Sequence, residues 1–197
     1  MAPCAPRLTA AIVSHDEALQ RALATLPALS DDIIARARVV AQCWGANEAL
    51  KRITYLGSGP LYGLANEATV KMKEMSLSLA EGYHFLEFRH GPMALVDPEH
   101  LVVALLSERM RTQEQAVLRD LKARGARLLA VAQQADGLSF CDEVFTLASP
   151  LPDAHAAVLY LPLIQLLAYY RAIGRGLDAD RPRNVSMAIT LDTDERT

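Results

Sequence analysis

Leu101-Val-Val-Ala-Leu-Leu-Ser107 is an unbroken run of six apolar residues that ends on a serine. A half-buried strand alternates apolar and polar positions. A strand with no polar position is covered on both faces, as in a parallel sheet. A second run of this kind, Arg127-Leu-Leu-Ala-Val-Ala132, follows it. Between the two, Glu108 to Gly125 is charged, amphipathic and stopped by a glycine, which predicts a helix. Strand, helix, strand with apolar strands predicts a parallel sheet covered by helices on both faces. Working outward, Arg52-Ile-Thr-Tyr-Leu56 and Glu143-Val-Phe-Thr-Leu147 read as further strands, and Val185 to Leu191 as a last β-capable piece. Leu61–Met75 and Ala154–Gly174 read as helices. Upstream, Ser30-Asp-Asp32 is an N-cap signal for a helix through Ile33, Ala37, Val40, Ala41 and Trp44, ending near Gly45. Residues 1–30 are alanine-rich with prolines at 3, 6 and 27, and read as irregular structure with room for one helix.

Composition narrows the classes of function. The chain has 197 residues, 51% of them hydrophobic and 6% aromatic, so an aliphatic core can form without disulfide or metal staples. Twenty Lys and Arg against 23 Asp and Glu leave a net charge of −3, which argues against a general nucleic-acid binder and against a disordered chain. Cys4, Cys43 and Cys141 are odd in number and far apart, with no Cys-x-x-Cys pair and no Cys/His cluster. Neither a disulfide framework nor a metal site is indicated, and a reducing compartment is the simplest expectation. The first residues lack the apolar core of a signal peptide. The most apolar stretch, Ala154–Tyr170, is seventeen residues long and contains His155, Pro162 and Gln165. It falls short of the ~20 residues of a membrane span and reads as a buried helix. A cytoplasmic protein with no membrane partner is expected.

Four places could carry chemistry. Gly57-Ser58-Gly59-Pro60 lies between a strand and a helix, where small residues let backbone amides approach a phosphate or sugar. Its glycines at 57, 59 and 63 miss the dinucleotide spacing, so a plain tight turn is the competing reading. In the helix that follows, Leu61, Leu64, Ala68, Met72 and Met75 form the apolar stripe. Glu67, Lys71 and Glu74 fall about 60°, about 20° and about 80° to one side of Leu64, while Lys73 faces the opposite way. They form either an ordinary surface ion-pair ladder or the wall of a cleft in which their proton affinities are tuned. His90, in Glu87-Phe-Arg-His90-Gly-Pro92, sits at a break in structure and reads as a loop residue. His15, His84, His100 and His155 show no partner in the sequence. Last, in Asp178-Ala-Asp-Arg-Pro-Arg183-Asn184, Arg183 and Asn184 precede an apolar segment and could be anchored at the sheet edge, whereas Asp178 and Arg181 suit a solvated turn.

Taken in order, these pieces resemble one family. Leu56-Gly-Ser-Gly59, Glu67-Ala-Thr-Val-Lys71-Met-Lys73-Glu74, His90-Gly-Pro92-Met-Ala-Leu-Val, Pro162-Leu-Ile-Gln-Leu-Leu-Ala-Tyr169 and Asp178-x-Asp180-Arg-Pro-Arg-Asn184 are similar to the second sugar-isomerase (SIS) domain of glutamine–fructose-6-phosphate aminotransferase. They equally resemble the tandem-SIS sugar-phosphate aminotransferases, deaminases and deglycases. The resemblance implies a three-layer α/β sandwich with a flavodoxin-like parallel sheet of about five strands over residues 52–192. Residues 1–51 would be a helical extension and 193–197 a tail. It implies Glu74 as the base that moves a proton between C1 and C2, Lys71 beside it, and His90 as the ring-opening group, delivered from a partner subunit. Gly57, Ser58, Gly59, Glu67, Arg183 and Asn184 would contact substrate. No metal or organic cofactor is implied. The partners expected are a sugar phosphate or aminosugar phosphate and a second copy of the chain.

Three departures from the pattern bear on activity. Where the aminotransferase carries a Schiff-base lysine, Asn184-Val-Ser-Met187 has methionine, which cannot form an imine. Cys4 follows Met-Ala-Pro and does not match a glutaminase nucleophile. The phosphate-binding Ser/Thr loop of the family belongs to its first SIS domain, for which the residues before Arg52 leave no room. Two further readings therefore stand beside an isomerase, aminotransferase or deaminase: a non-catalytic carbohydrate-binding or regulatory module, and a piece of a tandem-SIS enzyme.

Overall fold

The computed structural model describes residues 17–149 and 151–183. Its sheet has five parallel strands, β1 (Arg52–Gly57), β2 (Leu79–His84), β3 (His100–Leu105), β4 (Arg127–Ala132) and β5 (Glu143–Thr146), in the order β2-β1-β3-β4-β5. Every residue of β3 is buried, as its unbroken apolar run requires. Seven α-helices are described: α1 (Glu17–Ala24), α2 (Leu26–Gly45), α3 (Pro60–Ser76), α4 (Phe85–Phe88), α5 (Arg111–Ala123), α6 (Asp153–Ala156) and α7 (Leu161–Gly174). Short 3₁₀ turns cover Pro92–Leu95 and Ala157–Tyr160.

Strand alternation divides the core in two. Ile53, Tyr55, Leu101, Val103, Leu105, Leu129 and Val131 face a layer built by α2, α3 and α7. Leu56, Val102, Ala104, Leu128, Ala130 and Ala132 face α5 and the α4 segment, whose Phe85 and Phe88 are buried. The chain leaves β1 toward β2 on one side and continues through β3, β4 and β5 on the other. The order therefore reverses between β1 and β3, and a crevice opens at their carboxyl ends, the usual ligand position in open α/β sheets.

Several boundaries differ from the sequence-based expectation, each for a local reason. The α2 helix does not begin at Ser30. It begins at Leu26 with Pro27 in its first turn, where proline's fixed φ and missing N–H suit a helix start, and it runs through Ser30-Asp-Asp32. The expected single helix 154–174 is three pieces, and its last part starts at Leu161 with Pro162 in the first turn. The expected helix from Glu108 starts instead at Arg111, because residues 107–110 form a loop held by side chains. The buried stripe of α3 is Leu61, Ala65, Ala68, Thr69, Met72 and Ser76, shifted from Leu64 and Met75, which are only partly buried. Small side chains let α3 lie close to the sheet: a Cβ at Gly82 of β2 would come within 2.8 Å of Asn66 Oδ1 and 3.0 Å of Thr69 Oγ1. The fifth strand is β2. The β-capable piece Val185–Leu191 lies outside the described residues.

Two arginines of the α7 end lock the lower part of this layer. Arg171, buried, donates to Asn47 O at 2.6 Å, Leu50 O at 2.7 Å and Ser78 Oγ at 3.2 Å, and pairs with Glu48 at 3.4 Å. Arg175 Nη1 donates to Ser76 O at 2.8 Å and Leu77 O at 3.0 Å, where α3 ends with Leu77 in the left-handed region at φ 53°. Residues 157–174 are long and apolar enough to cross a membrane by length and composition, yet α7 packs against α2 and α3 with Arg171 inside.

Candidate functional site

Two places hold the residues singled out above. The first is the outer edge of α3. Lys71 Nζ donates to Glu74 Oε2 at 3.1 Å and stands 3.9 Å from Glu67 Oε1. All three side chains are half-exposed, so the ladder read from the helical period forms on an open edge. Half-exposed pairs of this kind contribute only about 0–1 kcal/mol to stability. Lys73 is exposed, away from them.

The second is the crevice at the strand ends, a cleft of about 450 Å³ lined by Ser58, Gly59, His84, Ser107, Arg109 and Asp153 among others. Gly57 has a packing reason to be glycine: a Cβ there would come within 2.3 Å of Leu61 O, so α3 could not start where it does. Gly59 takes φ 54°, a left-handed value that turns the chain into α3. Between them Ser58 is 4% exposed, with its hydroxyl turned to the Glu114 carboxylate. Opposite it, the loop 107–110 is tied down from two sides. Glu114 of α5, fully buried, accepts Ser107 N at 2.8 Å and the Ser107 hydroxyl at 3.0 Å. Asp153 at the start of α6 accepts Glu108 N at 2.9 Å. Burial pushes the Glu114 carboxyl above its ordinary value, opposed by Ser58 beside it and by the Ser107 donors.

The single chain does not gather all the expected site residues. His90 is exposed in the turn after α4, and α4 packs on the sheet face opposite to α3. The sheet therefore lies between the element that carries Glu74 and the one that leads to His90. Arg183 lines a hollow of about 230 Å³ with Met75, Leu77, Asp178 and Arg181, at the same end of α3 as Glu74. Asn184, Met187, Cys4 and His15 lie outside the described residues. Two histidines without an expected partner have one. The ring of His84, in the cleft wall, meets Tyr62 edge-on at 6.1 Å, and buried His100 shares a 2.8 Å hydrogen bond with Thr54 Oγ1. His155 is exposed.

Ser107, Arg109, Glu114 and Asp153 were not singled out from the sequence. The available signal was the polar Ser107-Glu-Arg109 immediately after the most apolar strand, since the residue following a buried strand faces the ligand crevice. Nothing in the sequence flags Glu114, one of several charges on an amphipathic helix. Among the described residues, no three His, Cys, Asp or Glu side chains are placed to hold a metal ion.

An open parallel sheet with a ligand-sized cleft at its switch point is the architecture of α/β domains that bind small molecules at their strand ends. Residues 49–173 match the family model of the SIS domain, and the chain belongs to that family. It is 35% identical over 140 residues to the glutamine–fructose-6-phosphate aminotransferase (isomerizing) of Pseudomonas syringae pv. tomato; the match takes in 70% of this chain and 23% of that protein. The chain thus spans about a quarter of the length of the curated relatives it matches. Among solved structures, the C-terminal domain of glucosamine-fructose-6-phosphate aminotransferase from Francisella tularensis superposes with TM-score 0.71 at 26% identity, covering 82% of this chain and 45% of that one. Glucosamine-6-phosphate deaminase from Thermotoga maritima superposes with TM-score 0.70 at 25% identity, covering 93% and 53%.

Proposed function

We propose that this chain is a sugar-phosphate-binding SIS protein of the isomerase, aminotransferase or deaminase type, working on hexosamine phosphates in the cytoplasm. The observation that carries it is the Lys71–Glu74 pair, a carboxylate beside an ammonium on an accessible helix edge. In the open-chain sugar the C–H next to the carbonyl is acidic. Glu74 takes that proton and the electrons move to the carbonyl oxygen as an enediolate forms; the hydroxyl proton passes from one oxygen to the other, and Glu74 returns its proton to the neighbouring carbon. Lys71 steadies negative charge developing on the substrate oxygen. The functional unit in this reading is residues 52–192, with 1–51 as a preceding extension. Gly57, Ser58, Gly59, Glu67, Arg183 and Asn184 contact the substrate.

His90 opens the sugar ring in this reading, and it acts in the site of a second copy. Support comes from its position: it stands on the far side of the sheet from Glu74 and is exposed. A homodimer follows. Calorimetry with glucosamine 6-phosphate tests the binding step, with a saturable heat expected. No heat with glucosamine 6-phosphate or fructose 6-phosphate removes the proposal.

A second reading is a binding or regulatory module that retains the site without turnover. It is favoured by Met187 at the place where the aminotransferase pattern has its imine-forming lysine. Binding without proton exchange into solvent separates it from the first.

A further inference from the structure

We infer that His100 is a positioning residue for His90: its buried ring joins both flanks of the His90 turn to the sheet and so sets where His90 stands. The inference rests on the ring-opening role proposed for His90 and names the group that acts through it.

Little at His90 itself fixes its place. It is exposed, and Gly91 after it takes φ 144°, a value that residues other than glycine rarely adopt. The flanking structure is short, with only four residues in α4 before it and four in the 3₁₀ turn Pro92–Leu95 after it. A hollow of about 290 Å³ lies beside the turn, lined by Phe88, Pro92, Leu95 and His100 among others, and Leu95 is 63% exposed. Packing therefore leaves one side of the turn without support.

His100, at the start of β3, reaches both ends of this stretch. Two residues before His90, the buried ring of Phe88 meets the imidazole edge-on at 6.4 Å. Five residues after His90, the Leu95 carbonyl faces Nδ1, which has no closer partner. On the other side of the ring, Nε2 lies 2.8 Å from Thr54 Oγ1 of β1. A carbonyl only accepts, so Nδ1 carries the proton and Nε2 accepts from the Thr54 hydroxyl. One imidazole, 3% exposed, thus joins Phe88, Leu95 and a central strand. The other ties of this stretch are Arg89 to Asp120 of α5 at 2.6 Å and Asp97 to Arg52. Both are half-exposed ion pairs, and each holds one flank only.

Two amide substitutions separate the ring nitrogens, because asparagine sets its NH₂ near the place of Nδ1 and glutamine near that of Nε2. His100→Asn keeps the donor to Leu95, and His100→Gln loses it. Deuterium entry at C1 in heavy water is followed for fructose 6-phosphate and for its 5-deoxy analogue, which lacks the 5-hydroxyl and cannot close the furanose ring. The analogue needs the base but no ring opening. His100→Gln is expected to slow exchange of fructose 6-phosphate ~10–100-fold and to leave the analogue within about twofold of the parent. His100→Asn is expected to follow the parent on both sugars. Amide hydrogen exchange reads the same tie without substrate. Ala94 N, bonded to Gly91 O at 2.9 Å, is expected to exchange faster in His100→Gln than in the parent or His100→Asn, with the amides of β4 unchanged.

The inference is overturned if His100→Gln matches the parent on fructose 6-phosphate, if it slows both sugars alike, or if His100→Asn is as slow as His100→Gln. Equal Ala94 exchange in the three chains overturns it whatever the sugars do. A parent chain that exchanges only the analogue removes the ring-opening role of His90, and this inference with it, while Glu74 stands as the base. A parent chain that exchanges neither sugar removes the proton-transfer reading, and the Ala94 comparison then decides whether His100 holds the turn.

Discussion

Gly57 and His100 show how single side chains hold the two ends of the site-bearing strand. Gly57 ends β1 directly under the first turn of α3, with room for hydrogen only. Gly57→Ala is expected to lower stability by ~2–3 kcal/mol in denaturant titration, because the new methyl meets backbone that cannot move aside. His100 starts the neighbouring strand β3, buried, hydrogen-bonded to Thr54 and edge-on to Phe88. Burial, with Arg52 nearby, holds its imidazole below the ordinary value. The unfolded chain therefore binds a proton more readily than the folded one. This group's contribution is intact above the ordinary imidazole value and is lost as pH falls through it. Thermal melts between about pH 7 and about pH 5 are expected to show that loss, and His100→Asn to flatten it.

At the scale of elements, the helix that carries Lys71 and Glu74 is aimed by its neighbours. Arg171 and Arg175 fasten the turn after α3 to the loop before β1. Arg171→Ala is expected to cost about 3 kcal/mol by chemical denaturation, since it strands the Asn47 and Leu50 carbonyls and leaves a buried gap. The strong strands were legible in the sequence because nothing but a sheet covered on both sides hides Leu101–Leu106. The Glu67, Lys71 and Glu74 ladder was legible because helical geometry is fixed by spacing alone. Strand β2 was not. Leu79-Ala-Glu-Gly-Tyr-His84 runs along the sheet margin with Leu79 exposed and lacks the apolar run of a central strand. The cleft was legible only on its Gly57–Gly59 side. Its other wall depends on Glu114 and Asp153, brought to the loop 107–110 by tertiary packing that no local pattern encodes.

For the whole molecule, one chain places Glu74 on one side of its sheet and exposed His90 beyond the other. In the proposed mechanism a working site then needs a second copy. Mixing inactive Glu74→Gln with inactive His90→Ala is expected to restore part of the activity, because a mixed dimer contains one site with both groups intact. The central claim is that Glu74 moves a proton between neighbouring sugar carbons. The most direct measurement follows deuterium entering C2 of glucosamine 6-phosphate, or C1 of fructose 6-phosphate, in heavy water by proton NMR. The account predicts enzyme-dependent exchange with the parent chain and its loss, by at least about a hundredfold, in Glu74→Gln that still binds the sugar. Exchange at the parent rate in Glu74→Gln would contradict it.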